Sequence, residues 1–442
     1  ASPVYDLLNQ RGLDINEMPS IGRALDHGAL AWRQHAGGHT SWPNWPAFLS
    51  WADRYITAPA AGRWLPTWTT ALQVVEPQNL PPAPGFTNAT VRQKLMTSIG
   101  GERLRVRFSN TFGDAPLTIE RAAVARSAST DTIDARTAQS LTFGGAASVT
   151  IPPGAQWVSD AVDFATDPLS PLAVTIYTLT APARITGHPG SRTTSYFSHA
   201  DTPVDAVALP QPIPVERWYF LSGIEVLSRQ PDAAVLVVVG DSITDGRGST
   251  TDGNNRWPDV LSRRLRAHSA TANVAVLNQG IGGNCVLRGG LGPTLLARLD
   301  RDVFSQPGVR WLILYEGIND LGGVASAAAK GERVTTGEDL IAAFDQIVTR
   351  ARAHGIKILG ATIMPFEGAF YYSAAGEAAR QKLNRWIRES GRFDAVIDFD
   401  ALMRDPAAPT RLQAAYDSGD HLHLNTVGLA RLGEAIDVRL FE

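Results

Sequence analysis

The chain has a single cysteine, Cys285, in 442 residues. No intrachain disulfide can form, so burial and hydrogen bonding must hold the fold, and Cys285 itself reads as a small buried filler, with a thiol beside the site as the alternative. No apolar stretch approaches the ~18 residues that a membrane-spanning helix needs. Lysine and arginine never gather into a run, and the net charge is −3. Nothing therefore marks the chain for nucleic acid or for an anionic membrane surface. His35 and His39 lack further ligand types nearby, which leaves no zinc set. Asp245-Gly246-Arg247-Gly248 lacks the Gly-Lys-Ser/Thr end of a phosphate loop. Internal repeats, low-complexity tracts and heptads are also missing. With 44% hydrophobic and 19% charged residues, what remains is an ordinary globular composition, long enough for two or three domains and a large core.

What is present begins at residues 235–246, VLVVVGDSITDG. A short β-branched run closed by Gly reads as a strand buried on both faces of a parallel sheet, which delivers polar residues to the crevice at its carboxyl end. Ser242 stands there, but a serine is a weak nucleophile unless a base takes its proton. The far end of the chain offers one in Asp420-His421-Leu422-His423-Leu424-Asn425, ahead of a helical pattern over 426–441. Asp420 and His423 are three apart, a spacing that in a turn sets both side chains to one side, so that a carboxylate orients an imidazole. Two more segments follow predicted strands at 274–277 and 311–315. They are Asn278-Gln279-Gly280-Ile281-Gly282-Gly283-Asn284 and Gly317-Ile318-Asn319-Asp320. A glycine N–H and an asparagine amide are the donor types that an acyl-transfer oxyanion requires. Plainer roles stay open for each residue alone: Asn319 as a helix cap, Gly282-Gly283 as an ordinary turn, and His421 as a competitor of His423.

These four blocks, in this order, resemble the SGNH (GDSL-type) hydrolase family of serine esterases and lipases over about the last half of the chain. The resemblance implies Ser242 as nucleophile and, through its backbone N–H, as an oxyanion donor. It implies Gly283 and Asn319 as the other two donors and Asp420 with His423 as the rest of a triad. Its spacing favours His423 over His421. The sequence departs from the pattern at Ile243, where the family name has Leu, and at Leu424, where Pro often follows the His; neither touches a reacting atom. The Gly-x-Ser-x-Gly elbow of α/β-hydrolases is absent around Ser242.

From residue 231 onward, strand patterns (235–239, 274–277, 311–315, 356–363, 395–399) alternate with helical ones (257–268, 294–304, 338–353, 377–390). That alternation means a parallel sheet covered on both faces, and the resemblance implies the three-layer α/β/α flavodoxin-like arrangement. Residues 64–230 carry short runs such as 104–108, 117–119, 148–151, 173–177 and 218–227 between Gly, Pro, Asn and Asp turns. Helical periodicity is missing, so an antiparallel β-sandwich is expected. Trp68-Thr69-Thr70-Ala71-Leu72-Gln73 and His188-Pro189-Gly190-Ser191-Arg192 in this stretch resemble the β-rich N-terminal part of exported two-domain SGNH hydrolases. Residues 1–63 hint at helices over 5–8 and 21–32, with Trp42, Trp45 and Trp51 expected to pack on the other domains.

The function expected is a serine esterase that needs no metal or organic cofactor and acts on a small-molecule or polysaccharide ester. Short acyl groups on a carbohydrate or small alcohol are favoured, with lipid esters as the alternative. A rival of another class is a glycan-binding protein on a non-catalytic hydrolase scaffold. A start at Ala1-Ser2-Pro3 without Met fits a chain exported to the periplasm or medium after removal of a signal peptide.

Overall fold

Val235 to Val239 have no solvent exposure at all. They form the middle of strand β1 (Ala234–Gly240), and a run apolar on both faces is stable only when both faces are covered. Each such side chain contributes about 1.5–3 kcal/mol through burial. Four further strands join it: β2 (Val274–Gly280), β3 (Val309–Tyr315), β4 (Lys357–Ala361) and β5 (Ala395–Ile397). All pair in parallel, in the order β2-β1-β3-β4-β5. The chain leaves β1 for one side of the sheet and later returns to its other side. That is the flavodoxin-like order, whose switch point opens a crevice at the carboxyl ends of β1 and β3.

Helices Trp257–Ala267 and Thr426–Ala435 pack on each other, as do Ile318–Ala329, Gly337–Ala353 and Ala374–Glu389. The result is the three-layer α/β/α half. Trp257, Leu261 and Leu265, four residues apart on one helical face, are fully buried, and Trp257 meets the edges of Tyr315 and Phe399. Thr336 and Asp339 close a reciprocal cap at the start of Gly337–Ala353, with bonds of 3.1 and 3.0 Å.

Several element ends differ from expectation. The helix expected over 294–304 is α-helical at Leu295–Leu299 and widens to a π-helix at Asp300–Phe304, a change to i→i+5 hydrogen bonds over a single turn, too short to show in the sequence pattern. The helix expected over 426–441 stops at Ala435, and Asp437 caps a separate 3-10 turn, Val438–Phe441, by accepting from Arg439 N–H at 3.0 Å. Asp398 likewise ends β5 by capping the helix Phe399–Met403. The helix Ile318–Ala329 has no match among the expected elements, because paired glycines and a run of alanines blur its period.

The structure is a computed structural model that describes residues 2–54 and 62–442. It divides into two compact units, 1–62 and 63–442. Within the second, the β-rich part builds a five-stranded antiparallel sheet around Gly101–Ser109 and Leu221–Ser228, and a six-stranded one around Ala89–Met96 and Pro171–Thr178. The strand expected over 218–227 is broken at Phe220, whose φ of 57° is left-handed. Trp218–Tyr219 therefore pairs with Gly187–His188, while Leu221–Ser228 pairs with Gly101–Ser109. Strand Arg63–Thr69 lies against β2, where Gln279 donates to the Thr69 hydroxyl at 2.8 Å.

In the first unit, helix Ser2–Leu7 overlaps the expected 5–8. The helix expected over 21–32 is instead the strand pair Ala24–Leu25 and Trp32–Arg33. Gly28 explains this: a Cβ there would lie 2.4 Å from the carbonyl oxygens of Arg11 and Gly12, so the backbone approaches another segment too closely to wind into a helix. Helix Trp45–Ala52 follows, with Trp51 donating to Gly28 O at 3.0 Å. Residues 1 and 55–61 of the expected 1–63 segment lie outside the described residues. Among the described residues no helix is long and apolar enough to cross a membrane.

Candidate active site

Strand β1 ends in Gly240, where a Cβ would collide with the Thr244 hydroxyl at 2.1 Å and Tyr315 O at 2.5 Å. The chain can turn only because this residue has no side chain. Asp241 caps the short helix Ser242–Asp245 by accepting from Ile243 N–H at 3.0 Å, and Gly246, at φ 106°, ends it. Burial pushes the Asp241 carboxyl up. Ser242 is thus the first residue of a single turn at the switch point of the sheet.

The last block reaches it from across the fold. His423 Nε2 stands 2.8 Å from Ser242 Oγ, and His423 Nδ1 stands 2.7 Å from Asp420 Oδ2. Asp420 Oδ1 accepts the backbone N–H groups of Leu422 and His423 at 3.1 and 2.8 Å. Burial works to raise the Asp420 carboxyl, but the backbone and ring N–H groups of His423 outweigh it and hold it down to about 2. The ionised carboxylate can only accept, so Nδ1 carries the ring proton and Nε2 offers its lone pair to the Ser242 hydroxyl. Burial lowers the pKa of His423, Asp420 opposes that, and the guanidiniums of Arg247 and Arg192 lower it further.

His421 lies on the other side of its turn, half exposed, with φ 60° and its Nδ1 2.6 Å from Asp417 Oδ2. Two histidine–aspartate pairs thus sit side by side, and His423's is the pair that meets Ser242.

Gly283 follows β2 with φ 71°, and among the described residues its N–H donates to nothing. Leu291 N–H on its carbonyl, at 2.9 Å, holds the turn. Asn319, in the first turn after β3, donates from Nδ2 to Asn284 O at 2.8 Å. That bond ties the third block to the second and leaves one amide hydrogen for the cavity. Behind them, fully buried Arg298 binds Gly240 O, Gln279 O and the Asn284 side chain, which links the ends of β1 and β2. Burial pushes Asp320 up to about 6 although Val286 and Leu287 N–H groups bind it. Cys285 is buried and burial raises its thiol, so it stays protonated.

Ser242, Gly283, Asn319, Asp420 and His423 all line one cavity of about 960 Å³. The β-rich part also lines it, through Gln73, Glu76, His188, Arg192 and Arg217. Sequence reasoning missed these residues as site components. Their signals were the strings 68–73, which ends in Gln73, and 188–192, in which Gly190 has no room for a Cβ because Asp245 Oδ2 would stand 1.9 Å from it. Asp245 ends the Ser242 helix, and its Oδ1 lies 2.8 Å from His188 Nε2. Among the described residues no group of three or more His, Cys, Asp or Glu side chains is placed to hold a metal ion.

Residues 238–431 match the model of the GDSL-like lipase/acylhydrolase family. No curated relative matches the chain. Among solved structures, it is similar to a lipolytic protein of the G-D-S-L family from Desulfitobacterium hafniense, at 19% identity and a TM-score of 0.34 over 46% of this chain and 97% of that one. An acetylxylan esterase from Geobacillus stearothermophilus is similar at 21% identity and a TM-score of 0.36, over 47% and 94%.

Proposed function

We propose that this chain, a carboxylic ester hydrolase whose residues 238–431 form a GDSL-like acylhydrolase domain, works through an acyl-enzyme on Ser242. The observation that carries the reading is the chain of two hydrogen bonds, 2.8 Å from Ser242 to His423 and 2.7 Å from His423 to Asp420. In this scheme His423 Nε2 takes the hydroxyl proton as Ser242 Oγ attacks the ester carbonyl. Asp420 holds the tautomer and stabilises the imidazolium that forms. Ser242 N–H, Gly283 N–H and the free amide hydrogen of Asn319 receive the oxyanion. His423 then gives its proton to the leaving alcohol, and water repeats the cycle on the acyl-enzyme.

The substrate we favour is a short acyl group on a carbohydrate. A cavity of about 960 Å³ walled by Gln73, Glu76, Asn79 and several arginines suits a hydroxyl-rich alcohol better than a lipid chain. We read residues 64–230 as an accessory β-sandwich domain for that substrate, and the protein as one that acts in the periplasm or medium.

A fluorophosphonate probe tests the mechanism, because only an activated serine reacts: Ser242 is expected to be the labelled residue, and labelling elsewhere overturns the scheme. A panel of p-nitrophenyl esters beside acetylated sugars tests the substrate; faster cleavage of long acyl chains would favour lipid esters. The pH profile should show kcat/KM rising with a base whose apparent pKa lies below the ordinary histidine value of about 6.5, because burial and two arginines disfavour the imidazolium.

A further inference from the structure

The cavity holds two guanidiniums with nothing to bind. Arg192 comes from the β-rich part and Arg247 from the loop after the Ser242 helix, and both line the cavity with Ser242 and His423. Among the described residues neither side chain makes a hydrogen bond or ion pair, and Arg192 Nε is buried without an acceptor. A buried donor left unmatched costs free energy; Arg192, half-buried, carries that cost at Nε, while Arg247 is exposed and brings its charge to the cavity from the other part of the chain. Most other charges on the wall are engaged, although Asp245 Oδ2 is buried without a partner among the described residues. Asp420 and Asp245 each face a histidine, Glu76 accepts from Gln73 and Asn79, and Arg217 donates to Asn79. Among the described residues Glu216, exposed like Arg247, makes no side-chain hydrogen bond or ion pair.

The backbones of both arginines are held in place. Arg192 sits at φ 48°, a left-handed conformation rare for a side-chain-bearing residue, and its carbonyl accepts Asp252 N–H at 3.0 Å. Arg247 donates its backbone N–H to Ser242 O at 2.8 Å. It is followed by Gly248, where a Cβ would stand 2.0 Å from Leu424 O, so the loop is pressed against the segment that carries His423. Both charges disfavour protonation of the His423 ring.

We infer that the ester's alcohol part carries an anionic substituent, a sugar carboxylate, which seats between Arg192 and Arg247. Guanidinium groups match a carboxylate in two-point, charge-assisted bonds, and two of them from separate parts of the fold read its position relative to the ester. The inference rests on the esterase reading above.

The test compares kcat/KM of the full chain on a mono-O-acetylated methyl glucuronoside, the same ester of methyl glucoside, its 6-sulfate, and p-nitrophenyl acetate. The glucuronoside should exceed the glucoside by about tenfold or more, and the margin should shrink as salt is raised. Arg192→Gln with Arg247→Gln should collapse that ratio and move the acidic limb of the pH profile upward, whereas the exposed Arg439→Gln should change neither. Because the ratio is taken within one variant, a smaller folded fraction cancels. A sulfate ester that outruns the glucuronoside would overturn the carboxylate assignment. Equal rates on charged and neutral sugars, unaltered in the double variant, would sink the subsite while leaving the esterase intact. Loss of all four activities together with failure to label Ser242 would instead sink the esterase reading.

Discussion

The two parts of residues 63–442 meet the same cavity in different ways. The parallel half brings its contributions through short turns at the ends of adjacent strands: Ser242 after β1, Gly283 after β2, Asn319 after β3. Arg298 ties two of those strand ends to each other at fixed distance. The antiparallel part brings side chains from separate strands and loops, among them Gln73, His188 and Arg217. Bond making tolerates errors of well under an ångström, and a sheet whose strands are buried on both faces supplies that stiffness. Recognition of a polar substrate needs area and charge, which loops on a β scaffold provide. If the division is right, substitutions at Ser242, His423 and Asn319 should remove turnover and those at Arg192 should change which ester is turned over, while Arg247, in the loop after the Ser242 helix, and His188, bonded to Asp245 of that helix, are the two places where the parts trade roles.

The largest effect expected is at Ser242. Ser242→Ala should lower turnover on the order of a millionfold, as for triad knockouts in serine proteases, and cost about 1 kcal/mol of stability or less for one lost hydrogen bond. Kinetics on an activated ester beside a thermal melt would check it; wild-type turnover in this variant would end the scheme. His423→Ala should come close behind. His421→Ala should keep most activity, since that ring faces Asp417 and solvent, and an inactive His421→Ala beside an active His423→Ala would reverse the assignment.

That contrast also bears on what was legible in the chain. The parallel half could be read because its strands are continuous apolar runs and its turns must carry Gly, Asp or Asn at set offsets; local chemistry wrote both. The helix Ile318–Ala329 escaped because alanine and glycine signal neither period nor face. In the β-rich part, strands such as Gly101–Ser109 showed through their alternation, whereas the facing of His188 on Asp245, 57 residues apart, is a long-range contact that no local pattern announces. Arg192 and Arg247 reveal themselves only through what they do not touch. Distance along the chain, more than residue type, set the limit.

A middle-sized effect is expected at Asn319. Asn319→Ala should lower kcat by about a hundred- to a thousandfold with little change in KM, because its amide matters as charge develops on the carbonyl oxygen. The variant also loses the 2.8 Å bond to Asn284 O, so a melting temperature lowered by the equivalent of about 1 kcal/mol is compatible with the scheme. A lowered melt with unchanged kcat would reduce Asn319 to a strut between two loops.

The smallest and most discriminating effect concerns His188, where the two parts touch. Its Nδ1 lies 2.7 Å from Ala71 O and its Nε2 2.8 Å from Asp245 Oδ1. A carbonyl only accepts, so Nδ1 carries a proton, and a second proton must lie between Nε2 and the carboxylate. The pair is buried on both sides, and Asp245 is the last residue of the turn that Ser242 begins. Glutamine at 188 can offer N–H donors from one nitrogen only and cannot span both acceptors as the ring does. His188→Gln should therefore cost about 1–3 kcal/mol, the penalty of a buried polar group left unmatched. It should lower kcat by about tenfold, through a loosened turn and not through lost chemistry, so the loss should be equal on p-nitrophenyl acetate and on sugar esters. Substitutions at Arg192 and Arg247, by contrast, should divide the substrates. Kinetics on both ester types beside the melt separate the cases. A His188→Gln enzyme that melts and turns over like the wild type would mean that the antiparallel part only walls the cavity and gives no support to the nucleophile.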